Sequence, residues 1–273
     1  MTSTRRTARR RQRFLPAALL FLGALWGAPA AAQLSATPTE ITLVPGSNTT
    51  ASITVQNEGT APQQALVYLN DWDRDDKGSN QFYPVGTVTG SCGDRVKVFP
   101  STIRLEAGAR QALGVSIEGA IFPSPCWTVV FVETTHRPST GANQIVYVTR
   151  VGVKVYVVPA NLPLDAEITG FALEHRVQVP GGPAVDTTQD ELALRVHNIG
   201  GQQAKFTGRI EIRNLQNVVM STIKVDEFPV LPGASRRFGA VLPLLPPGKY
   251  VALAVVSYGA EDDLAAQLEL EIH

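Results

Sequence analysis

The stretch QIVYVTRVGVKVYVVP, residues 144–159, decides how this chain folds. It is an apolar, β-prone run that only two basic side chains, Arg150 and Lys154, interrupt. Strict alternation places one set of side chains on the same face of the predicted strand, namely Ile145, Tyr147, Thr149, Val151, Val153, Val155 and Val157. The other face is also largely apolar, whereas the outer face of a half-solvated antiparallel strand is usually polar. Two explanations are open: a linker and second domain cover the strand, or its edge pairs with another chain.

Short β-prone runs continue on both sides of this stretch. Runs such as ASITVQ, ALVYLND and WTVVFVETT precede it, and ELALRVHN, KFTGRIEIRN and KYVALAVVSY follow it, with Gly, Pro, Asn and Ser between them. The segment ANLPLDAE, which follows Pro159 and contains Pro163, indicates a short stiff linker. The pattern predicts an all-β chain with two immunoglobulin-like β-sandwich domains in tandem, residues 33–159 and 167–273, joined by residues 160–166.

Two local patterns bear on the second domain. The chain ends in EDDLAAQLELEI, where Leu264, Leu268 and Ile272 also have helical spacing, but the preceding series of strands favours a closing strand. In addition, the segments starting at Asn57 and Asn198 both contain Asn-x-Gly, two glutamines and a strand. This similarity indicates two related domains, and such a turn predicts a positive φ at its glycine.

The first 32 residues have the pattern of a cleaved Sec-type secretory signal. Six arginines precede an apolar core too short to span a bilayer, and small residues predict cleavage after Ala32. The chain has 24 basic and 24 acidic residues, so removal of the six leader arginines leaves 18 against 24. A mildly acidic mature chain does not favour nucleic-acid binding. We expect a periplasmic protein whose mature chain does not insert into the membrane.

Cys92 and Cys126 are the two cysteines of the chain. In an exported protein they predict one disulfide, which closes a loop of roughly 35 residues and stabilises the fold by about 3 to 4 kcal/mol. Two reduced buried thiols and a bond between chains are the alternatives.

No motif for catalysis, metal binding or phosphate binding is present. The histidines lie far apart in the sequence, and no glycine-rich loop opens a helix. DWDRDDKGSN, residues 71–80, has the alternating acids of a calcium loop, but Asp76 and Phe82 stand where glycine and an acid are required. A solvated hairpin that turns at Gly78, with Trp72 near the end of its first strand, is the better interpretation. We therefore expect no enzyme, no metal site and no cofactor.

Four segments together resemble the periplasmic pilus (fimbrial) assembly chaperones. They are TEITLVPGSNTTASITVQNEG, FPSTIRLEAGARQALGVSI, CWTVVFVETTHRP and QIVYVTRVGVKVYVVPANL, and they resemble that family's opening strands, its Leu-x-x-Gly turn, its aromatic strand and its long last strand. The resemblance covers about residues 34–163. It implies two immunoglobulin-like domains and ATP-independent binding of exported pilin-like or other surface-protein subunits by strand addition.

The same resemblance implies partner-binding residues. Ile145, Tyr147, Thr149 and Val151 would face the partner, and Lys154 matches the lysine that binds the partner's terminal carboxylate. Lys154 alternates onto the opposite face from Ile145, so a bulge or strong twist is expected between them.

The chain departs from the family at the arginine of the first strand, because Glu40 or Ile41 stands there. The second hypothesis is accordingly a structural or adhesive cell-envelope protein that binds a wall polymer or a surface protein.

Overall fold

The computed structural model describes residues 34–119, 121–136, 147–175 and 190–273. The predicted signal sequence therefore lies outside the described residues. The strands are β1 (Leu34–Thr37), β2 (Glu40–Leu43), β3 (Thr50–Asn57), β4 (Gln63–Arg74), β5 (Asn80–Tyr83), β6 (Val96–Phe99), β7 (Thr102–Leu105), β8 (Arg110–Ile117), β9 (Cys126–His136), β10 (Tyr147–Val157), β11 (Ala166–His175), β12 (Asp190–Asn198), β13 (Ala204–Asn214), β14 (Val219–Val230), β15 (Ser235–Val241), β16 (Gly248–Ser257) and β17 (Leu264–Ile272). Within the described ranges, no helix has the length and hydropathy that crossing a bilayer requires.

The first domain is a sandwich of two sheets. One sheet has the order β1-β3-β8-β6, and the other has the order β2-β10-β9-β4-β5, with β7 also paired to β4. Alternation explains the packing: β3 buries Ile53 and Val55 and exposes Thr54 between them. They pack with Leu113, Val130 and Val153 in one apolar core. The predicted all-β sandwich is confirmed for this half of the chain.

The second domain is also a sandwich, with sheets β11-β12-β15 and β14-β13-β16-β17. Phe206, Ile210 and Leu194 are fully buried in its core. The chain ends in the predicted strand β17, which pairs with β16 from Leu264 to Ile272. The helical spacing of its leucines is also compatible with a strand, because residues four apart share a strand face as well.

A buried asparagine fastens the end of β3 to the opposite sheet. The Nδ2 atom of Asn57 donates to the carbonyls of Ala61 at 2.8 Å, Leu105 at 3.0 Å and Glu106 at 3.1 Å. Its Oδ1 atom accepts from the Gly59 N–H at 3.0 Å. Asn57 is fully buried, so these bonds satisfy groups that water does not reach.

Asn198 has the same role at the end of β12. Its Nδ2 atom donates to the carbonyls of Gln202 at 2.7 Å and Val230 at 2.9 Å, and its Oδ1 atom accepts from the Gly200 N–H at 3.0 Å. Asn198 is also fully buried. The shared Asn-x-Gly pattern therefore marks an equivalent lock in each domain.

The positive φ predicted for the glycines of these turns is wrong. Gly59 and Gly200 are both described, and neither has a positive φ, because each N–H is drawn to the asparagine side chain in an Asx-type turn. The left-handed residues are instead Gly108, with φ 72°, and Gly233, with φ 71°. Each donates its N–H to the main-chain carbonyl of the locking asparagine, at 2.9 and 2.8 Å.

Gly200 is required for a different reason. A Cβ atom there would lie 2.5 Å from the Asp165 N atom and 2.7 Å from the Pro163 O atom, which belong to the segment between β10 and β11. The Gly200 N–H donates to the Asp165 carbonyl at 2.9 Å. This close approach places the segment against the second domain.

Candidate functional site

Strand β10 is fully paired on one edge and partly free on the other. It pairs with β9 over its whole length, from Tyr147 to Val157. On the other edge, only Lys154 to Val157 pair with β2, in parallel. Within the described part of the chain, residues 147–153 have no partner strand on that second edge. The long apolar strand is therefore an edge strand over its first half.

The free edge presents main-chain groups of known direction. The N–H of Lys154 donates to the Thr39 carbonyl at 3.0 Å, on the β2 side. In an antiparallel strand the N–H and C=O of alternate residues point to the same side. The register with β9 does not shift, so Val148, Arg150 and Gly152 direct their main-chain groups toward the open edge.

The unbroken register also excludes one of the two alternatives, a bulge or a strong twist, that were expected here. No bulge interrupts the pairing with β9 between Tyr147 and Val157. Thr149 and Val151 consequently lie on one face of β10, and Lys154 lies on the other. The two parts of the site predicted from the sequence therefore lie on opposite faces of the sheet.

The inner face of β10 belongs to the first domain's core. Val153, Val155 and Val157 are fully buried there, and Val151 is partly buried against them. Thr149 is half-buried, nearer the free end of the strand. Of the remaining predicted residues, Tyr147 begins β10 opposite His136, and Ile145 lies outside the described residues. The structure thus places Thr149 and Val151 where the core meets the open edge.

On the outer face, Val148 is 55 % exposed. Arg150 forms an ion pair with Glu133 of β9 at 2.8 Å, and its guanidinium lies 4.9 Å from the centroid of Phe131. At Gly152 a Cβ atom would lie 2.9 Å from the Phe131 ring, so only glycine fits without a shift. Arg150 therefore lies across the sheet toward β9, away from the open edge.

Lys154 lies in a confined and mostly apolar environment. Its side chain is 15 % exposed, its Nζ atom is 4.4 Å from the centroid of the Trp72 ring, and the Glu40 Oε1 atom is 4.0 Å away. The pKa of Lys154 is lowered to about 8, mainly by burial and also by the charge of Arg74, while the charge of Glu40 opposes the shift. Glu40 is the direct partner of Lys154 in β2, so an acid stands beside the lysine where the resemblance implies an arginine.

The second domain covers the other half of β10 through an aromatic cluster. Its members are Trp72, Trp127, Val129, Phe131, Tyr156 and Leu231. The Nε1 atom of Trp127 donates to the Trp72 carbonyl at 2.9 Å, and the Nε1 atom of Trp72 donates to the Thr128 carbonyl at 3.1 Å. Leu231 enters from the second domain. Coverage by the second domain therefore accounts for the second half of the strand, and the first half has an open edge within the described residues.

The acidic segment before β5 is a hairpin turn, as the sequence predicts. Asp75 accepts from the N–H groups of Lys77 at 3.1 Å and Ser79 at 2.8 Å, and Gly78 has φ 90°. Among the described residues, no three His, Cys, Asp or Glu side chains are grouped so as to hold a metal ion.

The same hairpin contacts the second domain. Arg74 and Arg236 both donate to the Pro229 carbonyl, from Nη1 atoms at 3.4 and 3.1 Å. The Arg237 N–H donates to the Asp76 carbonyl at 2.9 Å. The hairpin therefore helps to set the angle between the domains.

Cys92 and Cys126 lie together in the first domain. Both are buried free thiols in this structure. A hydrogen bond with Cys126, followed by burial, raises the pKa of the Cys92 thiol. The two sulfur atoms are thus neighbours, and the disulfide between them remains a prediction.

The sequence reasoning missed the residues that join the domains. Trp72 and Trp127 are 55 residues apart, and Leu231 comes from the other domain. No local pattern connects them. The one available signal was the pair of tryptophans in strands whose faces are both apolar.

No protein-family model and no curated protein sequence matches this chain. Solved structures do. The class 5 fimbriae chaperone CfaA matches with a TM-score of 0.50 and 12 % identity, over 86 % of this chain and 98 % of CfaA. The YadV chaperone matches with a TM-score of 0.47 and 13 % identity, over 87 % of this chain and 100 % of YadV.

A chain of the CsuC–CsuE chaperone–tip adhesion subunit complex of Acinetobacter baumannii matches with a TM-score of 0.45 and 13 % identity, over 86 % of this chain and 97 % of that one. Of these three matches, the likeness to CfaA supports a common fold. The chain therefore has the fold of a fimbrial chaperone, with two immunoglobulin-like domains.

Proposed function

We propose that this protein is a periplasmic chaperone that binds exported pilus or surface-protein subunits by β-strand addition at the free edge of β10. The observation that carries the proposal is the open edge at residues 147–153, which borders the apolar core of the first domain. Binding of this kind uses main-chain hydrogen bonds and apolar side chains, so it needs neither nucleotide nor catalysis.

An incoming strand would pair with the outward groups of Val148, Arg150 and Gly152. Each such hydrogen bond contributes about 0.5 to 1.5 kcal/mol net, so the apolar contacts have to supply much of the affinity. Thr149 and Val151 offer those contacts, because they extend the buried face of β10 toward the open end. Tyr147 and Ile145 continue the same alternation in the sequence, and we propose that they contact the partner as well.

Lys154 has a separate role in this proposal. It lies on the other face, beside Trp72 and Glu40, where we propose that it binds the terminal carboxylate of the partner. A charge-assisted hydrogen bond is strong in such a confined place. Keeping a partly buried lysine whose pKa is lowered to about 8 costs stability, and a binding role would account for that cost.

The test removes one donor from the free edge and leaves the β9 ladder in place. Val148→Pro lacks the outward N–H, and Val148→Ala retains it as the matched control. Each variant is coexpressed with an aggregation-prone, pilin-like subunit, and soluble subunit in the periplasmic extract is measured. We expect rescue by the parent and by Val148→Ala, and little rescue by Val148→Pro.

Equal rescue by the parent, Val148→Ala and Val148→Pro would contradict strand addition at this edge. Subunit solubility that is no higher with any of the three than without them would contradict it as well. Failure of the parent to rescue any subunit would favour the alternative of a structural or adhesive envelope protein. Lys154→Ala in the same assay tests the carboxylate anchor, and we expect it to reduce the amount of soluble subunit without abolishing the rescue.

A further inference from the structure

The ring of Trp72 borders two cationic side chains from different strands. The Lys154 Nζ atom lies 4.4 Å from the ring centroid, and the Cζ atom of Arg74 lies 5.5 Å from it. The two charges are close enough that Arg74 contributes to the low pKa of Lys154, after burial. Two like charges next to one buried indole repel each other, and an anion between them would remove that repulsion.

The charge of Arg74 is not neutralised within the described residues. Its side chain forms no ion pair there, and its one hydrogen bond, from Nη1 to the Pro229 carbonyl, is long at 3.4 Å. Its Nε atom is buried and has no hydrogen-bond partner. A buried donor without an acceptor lowers the stability of the folded state. The guanidinium of Arg74 therefore has N–H groups with which it can bind a carboxylate.

Glu40 supplies the negative charge next to Lys154 in the free protein. Its carboxylate lies 4.0 Å from Nζ, and its side chain is 42 % exposed. The Tyr156 hydroxyl approaches the same Oε1 atom at 3.5 Å. These contacts are long and the carboxylate reaches solvent, so Glu40 can leave Lys154 at low cost.

We propose that Arg74 and Lys154 together bind one carboxylate, and that Glu40 competes with it as an internal anion. Arg74, on β4, supplies the second positive charge of the site, and Glu40 is the group that an incoming carboxylate has to displace. The identity of that carboxylate as a partner's chain terminus rests on the proposed function. The anion site itself does not.

The test uses acetate as the probe. The indole N–H signals of Trp72 and Trp127 are followed by ¹⁵N NMR in the mature protein at constant ionic strength, with chloride as the balancing anion. The Trp127 signal is identified with Trp127→Phe. We expect a saturable shift of the Trp72 signal, with Lys154 protonated at pH 6.5.

Variants with opposite expected effects make the test sharp. Arg74→Gln should weaken acetate binding about tenfold, as expected for the loss of one hydrogen bond to a charged group. Glu40→Gln should strengthen it by roughly three- to tenfold, because the competing charge is gone. Arg74→Lys keeps the charge and should retain most of the affinity.

The matched control is Arg236→Gln. Arg236 also donates to the Pro229 carbonyl, but its guanidinium lies over Phe228 instead of Trp72. An equal loss of acetate binding in Arg74→Gln and Arg236→Gln would assign the effect to the domain contact and overturn the proposal. A linear, non-saturating shift in the parent, or unchanged affinity in Glu40→Gln, would overturn it as well.

The two proposals fail in distinguishable ways. Acetate binding involves no subunit, so its absence removes the Arg74–Lys154 site and leaves strand addition at β10 to its own test. Acetate binding together with failure of the subunit rescue would keep the anion site and reject the proposed partner.

Discussion

The closing strands of the two domains, β10 and β17, differ in the side chains that they expose at the border of the sheet. Both end a sandwich, and among the residues that the structure describes β17 pairs only with β16. Its exposed positions include Gln267, Glu269 and Glu271, which form a polar and negatively charged border. On β10 the exposed positions are Val148, Arg150 and Gly152, and the arginine is paired with Glu133. Charged edges discourage strand addition, so of these two strands β10 is the better suited to it.

The domains are otherwise locked alike. Asn57 and Asn198 make corresponding bonds to their own turns and to the facing sheet. The open edge of β10 is therefore a local property of one strand and does not reflect a weaker sandwich. The following predictions test that separation, from the largest expected effect to the smallest.

The asparagine locks should be equally important in both domains. Asn57→Ala and Asn198→Ala each leave buried carbonyls without a donor, and we expect each to lower the free energy of unfolding by about 4 kcal/mol. Urea unfolding followed by far-ultraviolet circular dichroism, which reports the strands of both domains, measures the loss. The exposed Asn217, changed to Gly to keep its positive φ of 64°, serves as the control. A loss below about 1 kcal/mol in either domain would contradict the lock.

The cysteine pair distinguishes the first domain, because the second contains no cysteine. We expect the exported protein to carry one disulfide, seen as a mass increase of about two daltons on reduction. Reduction should lower the free energy of unfolding by about 3 to 4 kcal/mol. An unchanged mass would show that the neighbouring thiols stay reduced.

Lys154 should make stability depend on alkaline pH. Its pKa is about 8 in the folded protein and ordinarily 10.5. Below pH 8 both states carry the proton, so the folded state bears the full cost of the buried charge. Between those values the folded state loses the proton first, and stability rises with pH.

Lys154→Met should therefore stabilise the protein at pH 7 by on the order of 2 kcal/mol, less whatever the contact with Trp72 contributes. The difference should disappear above pH 10.5. Glu40 and Arg74 face the same amine, so Arg74→Gln should move the pH range of the effect upward. A parallel pH dependence for parent and Lys154→Met would show that the amine titrates normally.

The smallest expected effect comes from giving β10 the character of β17. Val148→Glu places an acid on the exposed face beside the open edge, and we expect subunit binding to weaken about tenfold, or 1.4 kcal/mol. Val148→Thr is the neutral β-branched control. Unfolding free energies should agree within about 0.5 kcal/mol, since the side chain is half-exposed. Equal binding by both variants would mean that the edge charge does not control access.

The sequence predicted what alternation and turn chemistry determine locally. Periodicity identified β10, β17 and the hairpin at Gly78, because side-chain direction in a strand follows from the residue number alone. The same rule separated Lys154 from Thr149, and of the expected bulge or strong twist the register excludes a bulge between Tyr147 and Val157. The Asn-x-Gly pattern located both locks but put the positive φ at the wrong glycine.

What the sequence did not reveal depends on contacts between distant residues. Arg74 looked like one more charge in an acidic turn, and its nearness to Lys154 follows from how β4 and β10 are placed in one sheet. The parallel pairing of Glu40 with Lys154 joins residues more than a hundred positions apart. Such neighbours depend on the assembled sheet, which no local pattern encodes.

The unbroken pairing of β10 with β9 fixes the distance between the open edge and Lys154. Val148 and Lys154 are six residues apart on one regular strand, so they are separated by about 20 Å. A partner whose chain end binds at Lys154 needs an extended segment of about this length to reach Val148. Segments shorter than this span leave the far main-chain groups unpaired, and longer ones extend past the described edge. Selection by length would then accompany selection by side-chain chemistry.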